Sequence, residues 1–365
     1  MALSDVSQKR LLRFFPVPEF LSMPTVGFDV TNEAIRFIEF EEGKLGLRLK
    51  KYGKKDIVFA EGKTDNLLES PELKKALEEI QKEFRFNFIH ASLPEEKAYL
   101  FKTEIPNVLP QEIRSAIEFK LEENVPLNSA QSLFDYTLIG GAKHAEDHLD
   151  VSVSVLPKSL VSLYVNLFHS AGFVPLSFEV EAQAIARAVI GRNNHETFLI
   201  VNFGETKTGL FIVQDGIVHF TSTLPVGGTS LTDAIRKHFS IDEAEAERIR
   251  QEVGVVKDKK NIDLFFSMMS TLSVLRDEIN RLLLYWQSKG DQGVDHSPKV
   301  DRIILCGTDA YMGGFREYLE ASMKIDSEFA NVWINVFDVN EYTPPISFTE
   351  SLAYVTAIGL ALPKS

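Results

Sequence analysis

A chain of 365 residues, 44% of them hydrophobic, has ample material for a core and is long enough for about two domains. Its net charge of -13 argues against an extended nucleic-acid surface, and its lone cysteine, Cys306, excludes an internal disulfide and fits a reducing compartment. No apolar run approaches the ~18 residues of a membrane span, and no signal peptide is visible.

In chain order, Gln8 to Met23 mixes Lys9, Arg10 and Arg13 with Leu11, Leu12, Phe14, Phe15 and Phe20 before Pro16 and Pro18 stop any helix. It reads as an arm packed on its own domain, with a basic-aromatic foot for an anionic membrane or a partner as the alternative. Val26 to Phe40 and Leu45 to Phe59 form a strand meander whose first turn carries Asp29, Thr31 and Asn32. Ser70 to Phe84 is an amphipathic helix with Ser70 as N-cap and Pro71 at its first position, and Asn87 to Leu93 is a buried strand.

A block of five elements follows. Tyr99 to Pro106 is a strand, and Leu109 to Glu123 is a helix with Ile113, Ala116, Ile117 and Leu121 on one stripe. Leu133 to Ile139 and Leu149 to Leu156 are strands, and Lys158 to Ala171 is a helix stopped by Gly172. The histidines of the intervening Gly140 to His148 loop, His144 and His148, would face one way on a helix, but the glycines and flanking strands put them on a polar hairpin loop, not in a zinc site. Phe178 to Gly191 is strand then helix, with Glu181 at the helix start as either a cleft carboxylate or a capping charge.

Thr197 to Gly216 holds two apolar strands around the polar loop Asn202 to Thr208, a hairpin turn whose backbone donors suit an anion. Gly227-Gly228 opens a helix capped by Thr229 or Ser230, and Ile241 to Glu252 is an acidic surface helix. Phe265 to Gln287 is a long helix on which Glu278 and Arg281 share a face. Asp301 to Cys306 is a core strand leading into Gly307-Thr308-Asp309, with Cys306 as a small buried hydrophobe, and Glu350 to Leu362 is an apolar closing helix.

Two such hairpins followed by a strand, a glycine turn and a helix occur in this order in the actin and sugar-kinase superfamily. With the IP…EI…AI…E…P…DY pattern of the five-element block, the chain most resembles the PilM family of type IV pilus assembly proteins, itself similar to the division protein FtsA. The resemblance implies an α/β, actin-like (ribonuclease H-like) two-domain ATPase fold with an inserted strand-helix-strand-strand-helix subdomain. Its implied parts are an arm over 1–23, a first subdomain over 24–95 and 174–195, the insert over 96–173, a second subdomain over 196–224 and 299–365, and a helical part over 225–298.

The resemblance also implies ATP and Mg2+ between the lobes. Asp29 would hold the metal and its waters, with Thr31 and Asn32 at the phosphates, since a carboxylate suits hydrated Mg2+ and hydroxyl or N–H donors suit phosphate oxygens. Asn202, Gly204, Glu205, Thr206, Lys207 and Thr208 would form the second phosphate hairpin, with Gly227 and Gly228 at a helix N-terminus. Glu278 and Arg281 would lie near the adenosine, and Gly307 and Thr308 beside the base and ribose.

Two departures weaken that site: Asn202 replaces the family's Asp and cannot serve as an ionised base, and Thr308-Asp309 replaces two glycines, adding bulk and a like charge. Thr31-Asn32 stands where relatives carry small Gly/Ser residues, with left-handed geometry at Asn32 expected to supply the bend. Nucleotide is therefore expected to bind weakly and to stabilise closure, without turnover.

For partners, the resemblance implies that the cleft between the insert and the first domain receives the N-terminal tail of a PilN-like single-span membrane protein. Tyr99, Phe101, Ile113, Ile117 and Phe119 are the candidate contacts, some of them necessarily core. The implied role is an adaptor at the cytoplasmic face of the inner membrane, held there through partners and touching other pilus or type II secretion platform proteins or the motor ATPase. An FtsA-like filament-forming ATPase predicts an amphipathic membrane helix after a linker, where this sequence shows Pro363-Lys364-Ser365. A kinase or ATPase needs acids at both hairpins, and only Asp29 is present.

Overall fold

Alternation along β1 (Thr25–Val30) sets the layout of the first lobe. Val26 and Phe28 point into one core, whereas Gly27 faces a helix from the far end of the chain, packed so closely that a Cβ would lie 2.0 Å from Ala357 O. The computed structural model describes residues 25–43, 46–59, 67–139, 148–290 and 299–363. The N-terminal arm and the histidine loop apart from His148 lie outside the described residues.

β2 (Ala34–Gly43), β3 (Gly46–Asp56), α1 (Pro71–Phe84) and β4 (Phe88–Leu93) follow β1, with the Ser70 hydroxyl accepting from Leu73 N–H at 3.2 Å as the N-cap. The insert then runs β5 (Tyr99–Pro106), α2 (Ile113–Asn124), β6 (Ser132–Leu138), β7 (His148–Pro157) and α3 (Lys158–Ser170). Its sheet, ordered β5-β7-β6, is antiparallel throughout and packs on α2 through Ile113, Ile117 and Leu121. β8 (Val174–Val180) returns to the first sheet, completing the order β3-β2-β1-β4-β8, and α4 (Glu181–Val189) leads to the second lobe.

The second lobe repeats the plan. β9 (Thr197–Phe203), β10 (Thr208–Gln214) and β11 (Ile217–Leu224) form an antiparallel meander. Three helices follow, α5 (Gly228–Phe239), α6 (Glu243–Val253) and α7 (Ile262–Gly290), and then β12 (Arg302–Cys306), α8 (Phe315–Met323) and β13 (Ser327–Phe329). The order β11-β10-β9-β12-β13 matches the first sheet, and in both the third strand pairs antiparallel with its hairpin partner and parallel with the next. The unbroken apolar run of β9 is explained by burial on both faces: Phe198 and Ile200 enter one core, Leu199 and Val201 another.

The closing segment is not one helix. It divides into α9 (Phe348–Ser351), a 3-10 turn over Leu352–Tyr354, and α10 (Val355–Ala361), and Leu352 O is taken by Gly307 N–H at 3.1 Å. α4 and α10 lie between the two sheets and share one core with β2, β9, β10 and β12. The helix over 241–252, expected on the surface, buries Ala246 and Arg250 in α6, because Arg250 has a charged partner inside the lobe. Cys306 is fully buried, as its strand position requires.

Candidate functional site

The two hairpin tips face each other across the lobes. Asp29, at the end of β1, is 4% exposed and accepts from the Ser92 hydroxyl at 2.9 Å. Burial pushes its carboxyl up from the usual range, against the pull of Arg36. The Thr31 hydroxyl donates to Ala34 O at 3.1 Å and accepts from the N–H groups of Glu33 and Ala34. Those bonds close the turn without a left-handed residue, so Asn32, exposed and not at positive φ, does not provide the bend expected of it.

On the opposite tip, Gly204 N–H donates to Lys207 O at 3.0 Å, and the fully buried Thr208 hydroxyl donates to Val226 O at 2.6 Å. The Thr206 hydroxyl donates across the cleft to the Glu33 carboxylate. Lys207 also crosses, to Glu96 at 3.2 Å and Glu181 at 3.5 Å. Burial opposes its charge, but those two carboxylates outweigh the effect and hold its pKa above the ordinary lysine range. Burial raises Glu181 to about 7, with Lys207 opposing. The buried Arg36 reaches Thr308 Oγ1 at 3.4 Å, a third link between the lobes.

Gly307 adopts φ +105, and a Cβ there would sit 2.5 Å from Phe203 O and 2.7 Å from Asn202 Oδ1, so the turn requires glycine. Asn202 takes only a weak contact from the Cys306 thiol, at 3.9 Å. Asp309, one turn on, accepts from Arg250 at 2.8 Å, and Arg250 also donates to the Thr232 hydroxyl at 2.9 Å. Gly228 lets that carboxylate in: a Cβ would meet Asp309 Oδ2 at 1.9 Å.

These residues do not fit a nucleotide in this conformation. The backbone donors expected at the α5 N-terminus are spent internally, Gly228 N–H on Gly204 O at 3.0 Å and Thr229 N–H on Glu205 O at 2.8 Å. The void among the tips is about 50 Å3, well under the roughly 300 Å3 at which small-molecule pockets begin. Glu278 accepts from Ser222 at 2.8 Å and pairs with the exposed Arg281, and neither lines the cleft. Glu33, Arg36, Glu96 and Arg250 escape sequence reading because each is defined by a partner far along the chain.

A second concavity, about 600 Å3, lies between the insert and the lobes. Its walls are β6 and β7 (Asp135, Tyr136, Thr137, Ser152), α4 (Gln183, Ala186, Arg187, Ile190) and the β10–β11 turn (Asp215, Gly216), with Asn335 and Leu362 beyond. Its walls are tied together: Arg187 holds Glu179 through two bonds of 2.7 and 2.5 Å, and Gln183 donates to Ser154 at 2.7 Å. Asn335 donates to the carbonyls of Arg187 and Ile190 at 2.9 and 2.6 Å.

None of Tyr99, Phe101, Ile113, Ile117 and Phe119 lines this groove. Ile113 and Ile117 are core of the insert, closed to any peptide, because the helix stripe that carries them is the face turned to the sheet. Phe101 packs against that core, while Tyr99 and Phe119 are exposed elsewhere. His148 lies near Glu104 and Asp150, where Lys102 already pairs with Asp150 at 3.5 Å.

Against known proteins, a family model described as type IV pilus assembly protein PilM matches residues 27–365. The structure of a PilM-PilN type IV pilus biogenesis complex superposes with a TM-score of 0.72 at 18% identity, over 93% of this chain and 97% of that one. MreB5 of Spiroplasma citri bound to ADP superposes at 0.52 with 13% identity, over 87% and 94% of the two chains. At such identities the likeness establishes the fold: two actin-like α/β lobes.

Proposed function

The chain belongs to the PilM family of type IV pilus assembly proteins, and from that premise we propose that it works as an adaptor which grips the tail of a PilN-like membrane protein in the groove beneath the insert. The observation that carries the proposal is the groove itself. It is large enough for a short extended segment and is walled by α4, β6 and β7, with polar and apolar side chains on the same surface. The solved PilM-PilN complex, with the same fold, supports a partner of that kind.

Among the described residues no helix is long and apolar enough to cross a membrane. In this reading the protein sits at the cytoplasmic face of the inner membrane through its partner, and passes contact on to other platform proteins or the motor ATPase. Turnover is not part of the role: Asn202 supplies no ionised base, and Asp309 is held by Arg250 inside the second lobe.

The test is fluorescence anisotropy with a labelled peptide copying the N-terminal cytoplasmic segment of the PilN-like protein. Saturable binding is expected for the unaltered chain. Thr137→Arg, an exposed β6 residue on the groove wall, should weaken it by about tenfold or more, as a bulky charge displaces part of the peptide. Phe119→Ala, outside the groove, should leave it unchanged. Binding lost in the Phe119 variant but kept in the Thr137 variant would place the tail elsewhere and refute the assignment.

A further inference from the structure

We propose that the interlobe cleft is latched shut by the chain's own side chains, so that closure does not wait on a nucleotide. Three side chains that reach across form the latch: Lys207 to Glu96 and Glu181, Thr206 to Glu33, and Arg36 to Thr308. Lys207 is the centre of it. Its ammonium lies among carboxylates of the first lobe, with Glu181 buried and Asp29 close enough to feel its charge. Withdrawing it would leave Glu181 buried without its cation, which is costly in a low-dielectric site.

The same residues oppose a phosphate ligand. Asp29, Glu33, Glu181 and Glu205 line the cleft; of its two cations, Lys207 is paired with Glu96 and Glu181, and Arg36 is drawn to the Asp29 carboxylate and reaches Thr308 Oγ1. The α5 donors close onto the hairpin carbonyls of Gly204 and Glu205. Behind the tips, Arg250 and Asp309 bind the helical part to the β12 turn, and Val255 N–H donates to Gly313 O at 2.7 Å. The second lobe is thus closed on itself as well as on the first. The latch is independent of whether the groove takes a tail.

Hydrogen exchange on the full nucleotide-free chain tests it, beside thermal unfolding with and without Mg-ADP and Mg-ATP. The tip amides of residues 31–34 and 204–207 should be protected without nucleotide, and neither nucleotide should shift the unfolding temperature. Lys207→Met should speed exchange at both tips by about tenfold, a modest figure because Lys207 is partly exposed. Lys207→Arg should restore protection. If the Met variant does not fold, Thr206→Val carries the same test. A saturable rise in unfolding temperature with either nucleotide, together with slower tip exchange, would overturn the latch, as would Lys207→Met exchange equal to that of the unaltered chain.

Discussion

Glu95 is 4% exposed, with its carboxylate accepting from Ala182 N–H at 3.1 Å. Burial pushes it to about 7, well above its ordinary 4.5, and Glu181 is displaced in the same direction. A carboxyl raised in the folded state keeps a proton that the unfolded chain has already released, so stability falls as pH rises from about 4.5 to about 7. Glu95→Gln should remove part of that slope and raise stability above pH 7 by about 2 kcal/mol, measured by urea unfolding across the pH range. An unchanged pH slope in the variant would show that Glu95 is not the cause. At this scale the sequence was partly legible. The loss of the acid at Asn202 and the intrusion of Asp309 are visible in the one-letter string. The partners of Lys207 are not, because Glu96 and Glu181 lie on separate elements and meet it only when both lobes are in place.

Between elements, α4 and α10 pack backbone to backbone. A Cβ at Gly359 would stand 1.8 Å from Ala184 O, so neither helix can keep its position if that glycine gains a side chain. Arg187 strengthens the same contact by donating to Gly359 O at 2.9 Å. Gly359→Ala should cost about 3 kcal/mol through overpacking, read as a lower denaturant midpoint; a loss within experimental error would mean that the helices separate freely. The helices and strands themselves follow from hydrophobic period and turn residues, and so were largely readable in advance. The groove wall was not. Along β6 the residues alternate between exposed and half-buried positions without a strong apolar face, so nothing marks Asp135 and Thr137 as lining residues. The apolar stripe of α2 draws attention instead, and its buried members serve only the insert's core.

Across the molecule, the two lobes share more than a hinge. One core cluster includes Ile38 of the first sheet, Phe198, Ile200, Phe211 and Ile304 of the second, and both helices between them. Such a shared core couples the fates of the lobes, so calorimetry should give one unfolding transition with matching calorimetric and van't Hoff enthalpies. Two resolved transitions would show that the lobes melt independently. The order of elements carried the family resemblance, and with it the two-lobed fold, at the sequence level. The repeat of the sheet plan, with two antiparallel pairings and two parallel ones on each side, appears only in the pairing of the strands.

The position of α10 has a consequence for biosynthesis. The face of β1 at Gly27 is covered by a helix made of residues 355–361, so the first-lobe strands have no lid on that face until those residues have left the ribosome. A nascent chain must hold that half-built sheet open throughout translation, with Phe28 and its neighbours gathered on one side only. Products terminated before residue 355 would leave this surface bare and become targets for chaperones and proteases.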